Sequence, residues 1–213
     1  FRSLVFLDIS ATPNKREPNF DLIADIASEA FMPFAYGGGI TSIKQIEKLF
    51  SLGVEKVIIN SGAFHNPQLV CDASQLAGSQ SIVVSMDVKK TLLGGYEVFV
   101  ENGRVRTKQT PVGYAKKMQN LGAGELIVNA IDREGTAKGY NIELLEKVTS
   151  SVDIPVVALG GAGKLQDFSD AVHQTHISAV AAGDLFVFHG KHKAVLITYP
   201  EYSELEQLFK KGK

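Results

Sequence analysis

The chain has 213 residues, 45% of them hydrophobic and 21% charged, with 22 Lys and Arg against 23 Asp and Glu. The net charge of -1 builds no basic field for nucleic acid, and no apolar run reaches the roughly 20 residues a membrane helix needs. The single cysteine, Cys71, rules out an internal disulfide and fits a reducing, cytoplasmic setting.

In chain order, short Val/Ile/Leu-rich runs alternate with amphipathic stretches. LVFLDI (4–9) is followed by FDLIADIASEA (20–30), and MPFAYG (32–37) by SIKQIEKLFSLG (42–53). EKVIIN (55–60) leads into a helical pattern carrying Cys71, and SIVVSMD (81–87) comes next. GGYEVFVENGRVRTK differs: a strand, a turn at Asn102-Gly103 and a returning strand predict a hairpin insertion over about 94–107. PVGYAKKMQNLG (111–122), ELIVNAID (125–132), IELLEKVTSSV (142–152), IPVVALG (154–160) and ISAVAAG (177–183) complete the series. Near-continuous apolar runs, rather than alternation, mark strands buried on both faces, and strands alternating with helices predict a parallel sheet. Gly53 and Gly122 read as helix C-caps, and Thr41, Ser42 and Asn141 as N-caps.

An internal repeat narrows the fold. Gly38 of PFAYGGG falls against Gly161 of PVVALGG at an offset of 123; Asp8 against Asp132 and Asn60 against Ala182 or Gly183 fall within one residue of it. Each repeat is half of an eight-stranded (β/α) barrel. Seven strand patterns are present, and the counterpart of SIVVSMD would lie upstream of Phe1. The expectation is an α/β (β/α)8 TIM barrel whose first β/α unit is missing from this chain: one domain over 1–213, with halves over roughly 1–75 and 76–200.

Chemistry in such barrels sits at the C-terminal strand ends. Three ends carry a carboxylate: Asp8, Asp87 and Asp132. These could cap turns, or they could be acid–base groups, since an ionised carboxylate at a buried strand end is costly unless paired or used. Two opposed carboxylates suit general acid–base work, and the repeat partner of Asp87 would face it across the barrel. Glycines let a ligand approach bare N–H groups, which suits phosphate. Gly39 with Asn60 and Ser61 would make one cradle; Gly160 and Gly161, with Gly135 and Gly183, a second. Two cradles across one mouth imply a substrate with a phosphate at each end, although tight turns alone also use glycine. His173 and His176 read as solvated and His65 as a loop residue. His189 and His192 show no convincing ligand spacing, so no metal and no cofactor are expected. Cys71 reads as packing.

FLDI, YGGGI, KVIINSGA, VVSMDVKK, GAGELIVNAIDREGT, GYNIELL and ALGGAGK, in this order, closely resemble the cyclase subunit of imidazole glycerol phosphate synthase. The resemblance covers nearly the whole chain. It implies a lyase/cyclase that takes ammonia from a glutaminase partner and reacts it with a bis-phosphorylated ribulosyl aminoimidazole carboxamide nucleotide. It implies that Asp87 is the acid–base aspartate, with its partner on the first strand outside this sequence. Asp8, Gly39, Asn60 and Ser61 match substrate and first-phosphate positions. Glu134, Gly135, Gly161 and Gly183 match the second phosphate side, with Asp132 and Gly160 beside them. Lys56 and Glu125 match a charged ring at the barrel bottom, where ammonia enters. The chain departs from the pattern at Glu134, where the family has Asp, and at Leu159, where serine is common. Thr107-Lys108-Gln109 stands in place of a Thr-Gly turn. Asp184 falls near the second phosphate, which a carboxylate would repel. The tail LFVFHGKHKAVLITYP resembles paralogues of surface-polysaccharide synthesis that help install an amidino group on a sugar. That paralogue function, and a non-catalytic ammonia conduit, are the alternatives. A barrel isomerase of the same pathway has similar half-barrels, but VVSMDVKK and NAIDREGT favour the cyclase.

Overall fold

The structure is a computed structural model; it describes residues 3–92, 94–189, 194–195 and 197–210. His192 and part of the 185–200 tail lie outside the described residues. The first half runs β1 (Leu4–Leu7), α1 (Phe20–Glu29), β2 (Phe34–Gly37), α2 (Ile43–Ser51), β3 (Lys56–Ile59), α3 (Ser61–His65) and α4 (Gln68–Ala77). Then come β4 (Ile82–Lys90), the hairpin strands β5 (Tyr96–Val100) and β6 (Val105–Arg106), and α5 (Pro111–Asn120). The remainder is β7 (Glu125–Ala130), α6 (Ile142–Thr149), β8 (Val156–Leu159), α7 (Leu165–Gln174), β9 (Ala179–Val180) and α8 (Asp184–Val187). A short antiparallel pair, β10 (Phe188–His189) with β11 (Ala194–Val195), and α9 (Tyr202–Lys210) end it.

Seven strands pair in parallel in the order β1-β2-β3-β4-β7-β8-β9, with helices between them. This is the α/β barrel architecture the alternation predicts. The hairpin adds to the outer half of β4, pairing Asp87 with Phe99 and Lys90 with Tyr96. That pairing carries β4 three residues beyond the apolar run, to Lys90.

The strands are apolar on both faces because each face has its own cover. Outward residues such as Val57, Val84, Met86, Leu126 and Ala158 pack with Ile46, Leu49, Tyr114, Met118 and Leu144 from the helices. Inward residues Ala35, Ile58, Val83 and Ile127 form a separate cluster, against which Val157 and Leu159 pack. Each fully buried Ile or Leu stabilises the fold by about 1.5–3 kcal/mol. The helix starts follow local chemistry. Ser42 caps α2 in a reciprocal capping box with Gln45, and the Asn141 side chain accepts from Leu144 N. Thr41 does not cap; its backbone N–H donates to the Gln45 side chain. Among the described residues, no helix is long and apolar enough to cross a membrane.

Candidate functional site

Period-2 geometry on β4 sends Val83, Ser85 and Asp87 to the barrel interior. The interior is therefore layered. At the strand starts, the ammonium of Lys56 on β3 and the carboxylate of Glu125 on β7 form an ion pair that spans β4. Apolar side chains follow. At the strand ends, Asp87, Asn129 and Leu159 stand in register on β4, β7 and β8.

Asp87 is only 8% exposed. Burial pushes its carboxyl above the ordinary carboxylate range, although hydrogen bonds from Asn129 and Asn60 and the charge of Lys89 pull the other way. Asn129 Nδ2 donates to Asp87 Oδ1 at 3.0 Å. An ionised Asp87 accepts only, so the amide must turn its NH2 toward it. That leaves Asn129 Oδ1 buried with no hydrogen-bond partner among the described residues. A buried acceptor without a donor costs free energy, and at a strand end it marks where a ligand N–H or O–H would fit. Asn129 lies near the end of its strand, before Asp132, without a charge to single it out; its distinguishing feature is an orphan atom, which exists only once β4 and β7 are paired. Asn129→Ala should raise the pH at which Asp87 ionises, because it removes a hydrogen bond that favours the charged form. Carboxyl-carbon NMR titration of the two proteins reads this directly.

The other strand-end acids are placed differently. Asp8 Oδ1 accepts from Ser10 N, Ser10 Oγ and Ala11 N, and Arg16 lies 3.7 Å from Oδ2. These bonds, the Ser10 hydroxyl foremost, hold its carboxyl below the usual range. It braces the loop after β1. Asp132 accepts from Lys90 N at 3.1 Å and lines a cavity of about 600 Å³ with Tyr96, Arg133 and Glu143. Asp87 lines neither that cavity nor a second one of about 550 Å³, which opens over Gly39 and Ser61. Asn60 reaches Asp87 instead, and so joins the acid to the first cradle.

The two glycine devices close against their own neighbours. A Cβ on Gly38 would meet Asp8 O at 2.6 Å, and one on Gly161 would meet Gly139 O at 2.4 Å. Gly160 leaves room for the backbone of Ala130 and, at 3.0 Å, the orphan Asn129 Oδ1. The devices differ in charge. At the second, the Gly161 N–H donates to the Glu134 carboxylate, and Asp184 stands near; a Cβ on Gly135 would meet Asp184 Oδ2 at 3.3 Å. Burial, and then Asp184, push the Glu134 carboxyl up. Gly183 has open space around it.

A raised carboxyl means the folded state holds its proton more tightly than the unfolded chain. Stability from this group is full below Glu134's ordinary 4.5 and falls as pH rises through the raised value. Removing the like charge should therefore help only above that window. In thermal unfolding, Asp184→Asn should match wild type below pH 4.5 and gain on it as pH rises past the point where Glu134 ionises.

His65 ends the short helix α3 rather than sitting in a loop, 3.2 Å from Glu101 of the hairpin. His173 Nδ1 lies 2.7 Å from Ser169 O on α7, and His176 faces Glu146 at 4.0 Å. Cys71 lies on α4 as a half-buried free thiol.

A parallel β/α barrel with a buried carboxylate and glycine-walled cavities at its C-terminal strand ends belongs to the class of barrel enzymes that work at that face. Residues 1–193 match the family model described as histidine biosynthesis protein. A provisionally named imidazole glycerol phosphate synthase subunit hisF2 of Pseudomonas aeruginosa is 48% identical over 203 residues, 95% of this chain and 81% of that protein. A provisionally named subunit HisF of Leptospira interrogans is 44% identical over 207 residues, 97% of this chain and 82% of that one. The imidazole glycerol phosphate synthase subunit HisF of Alkaliphilus metalliredigens is 39% identical over 186 residues, 87% and 74% of the two chains. The chain belongs to the histidine biosynthesis protein family.

Proposed function

We propose that the chain is the ammonia-using lyase/cyclase subunit of an imidazole glycerol phosphate synthase-type enzyme, working with a glutaminase. The observation that carries this reading is Asp87: a buried carboxylate at a strand end, its proton affinity raised by burial, flanked by the amides of Asn60 and Asn129. A carboxyl raised toward neutrality is equipped to take and return protons. Ammonia adds to the ribulosyl carbonyl of the bis-phosphorylated nucleotide, and loss of water gives an imine. Asp87 moves protons through the C–N cleavage and ring closure that follow. Gly39, Asn60 and Ser61 hold one phosphate. The Lys56–Glu125 pair, at the opposite end of the interior, is the ammonia entrance.

A second reading is favoured at the other cradle. Glu134 takes the Gly161 N–H that a phosphate would use, and Asp184 adds a second carboxylate. Both repel a dianion. With Leu159 in register beside Asn129, this half suits a substrate whose second end is uncharged or cationic. That is the paralogue function in amidino-sugar formation. The relatives 44–48% identical carry provisional names, two of them hisF2 and hisF3.

Turnover of the bis-phosphorylated nucleotide with ammonium salt, with no glutaminase present, separates the two. Product formation supports the cyclase. No turnover removes the cyclase and leaves the paralogue, or the ammonia conduit, which would stimulate the partner's glutaminase and catalyse no cyclisation of its own.

A further inference from the structure

The cavity over Gly39 and Ser61 has a wall that the strand-end pattern does not contain. The hairpin tip, residues 101–104, folds down onto the first half of the barrel. Glu101 N donates to Ser61 Oγ at 3.0 Å, and Asn102 Nδ2 donates to Ile9 O at 2.5 Å. Behind the tip, Lys89 Nζ donates to Gly103 O at 2.9 Å. The Glu101 carboxylate lies 3.2 Å from His65 Nε2. Glu101, Asn102 and Gly103 have φ values of 53°, 57° and 73°. Two successive non-glycine residues in the left-handed region are unfavourable unless contacts impose them, and here four contacts do.

The charges in the lining are unequal once their partners are counted. Glu101 is held beside His65, Glu17 accepts from Gln45 Nε2 at 3.1 Å, and Arg16 is committed to Ser10 and Asp8. Lys15, from the loop after β1, and Arg104, from the hairpin tip, also line the cavity. Neither cation has a hydrogen-bond or ion-pair partner among the described residues. Two cations from separate segments thus face a cavity whose floor is glycine backbone and a serine hydroxyl, and whose carboxylates are occupied. Such a lining suits an anion, and arginine in particular suits a phosphate oxygen pair.

We infer that the hairpin tip is a wall of this first cavity and that Arg104, together with Lys15, binds the anionic group seated on Gly39 and Ser61; this rests on the anionic reading of that cavity made above. The hairpin is then part of the binding site, and Ser61 anchors it through Glu101 N–H.

Inorganic phosphate is the probe, titrated into isotope-labelled whole chain while the amide signals of Gly39, Ser61 and Gly62 are followed. Saturable shifts are expected, with affinity about tenfold weaker in Arg104→Gln and largely restored in Arg104→Lys. Lys116→Gln, an exposed change on α5, should leave the affinity unaltered. Saturable shifts with unchanged affinity in Arg104→Gln would overturn the role of Arg104 while leaving the cavity's anionic reading intact. Equal weakening by Lys116→Gln would also overturn it, by showing a general field effect. Absence of any shift at Gly39 and Ser61 would overturn both the inference and the anionic reading.

Discussion

Asp87→Asn should reduce ammonia-dependent turnover by about a hundred- to ten-thousand-fold, the usual range for loss of a positioned acid–base group. Substrate affinity should change little. The side chain is isosteric and keeps its place on β4 between β5 and β7, so Asn60 and the cradle it serves need not move. Stability should hold or rise, because a buried carboxyl whose proton affinity is raised burdens the folded state once it ionises. This combination of lost kcat, retained binding and retained Tm separates a chemical role from a structural one. Turnover near the wild-type level, measured with saturating ammonium salt, would remove Asp87 from the mechanism. The result is readable even if the substrate belongs to the paralogue, provided the assay uses that substrate.

Gly161→Ala carries the largest expected cost to stability. The residue has φ of 105°, where L-residues are strained, and a Cβ would sit 2.4 Å from Gly139 O and 3.0 Å from Arg133 Cβ. The nearest obstacle is backbone, and Gly139 N itself donates to Gly161 O at 2.8 Å, so the two segments cannot part without losing a hydrogen bond. Strain and overpacking together suggest a loss of about 2–5 kcal/mol. For a chain of this size, that lowers Tm by roughly 5–20 °C. Thermal unfolding by circular dichroism checks it; a shift of only a degree or two would show that the turn after β8 relaxes freely. The same substitution should expel the Glu134 carboxylate from the Gly161 N–H, so any phosphate affinity on this side would change with it.

The architecture was legible because its signal is local. A run such as VII (57–59) or VVAL (156–159) is apolar at every position, and only a strand covered on both faces needs that. Such runs predict β3 and β8, and the structure has both. Strand bounds were less legible. Nothing in Val88-Lys89-Lys90 asks for a strand; the hairpin's hydrogen bonds make it one. Ser42 and Asn141 could be named as caps from spacing alone, whereas Thr41 lost that role to its neighbour because both compete for Gln45.

Less of the site could be read this way. Residue type and strand-end position single out Asp87, but not that Asn129 would donate to it and keep an unpaired oxygen. Nor could they distinguish Asp8, whose carboxylate is consumed by Ser10 and Ala11, from an acid held ready. The two glycine devices look alike as text, and their difference in charge depends on where Glu134 and Asp184 come to rest.

By itself, the sequence determined the alternation of buried strands and amphipathic helices, and with it the barrel architecture. Those follow from hydrophobic periodicity, which each segment carries within itself. The tertiary structure alone decided that Glu134 takes the Gly161 N–H, that Glu101 rests on Ser61, and that burial raises Asp87. Each of these is a contact or a desolvation shared by residues distant in the chain, and such energies exist only when the chain has brought them together.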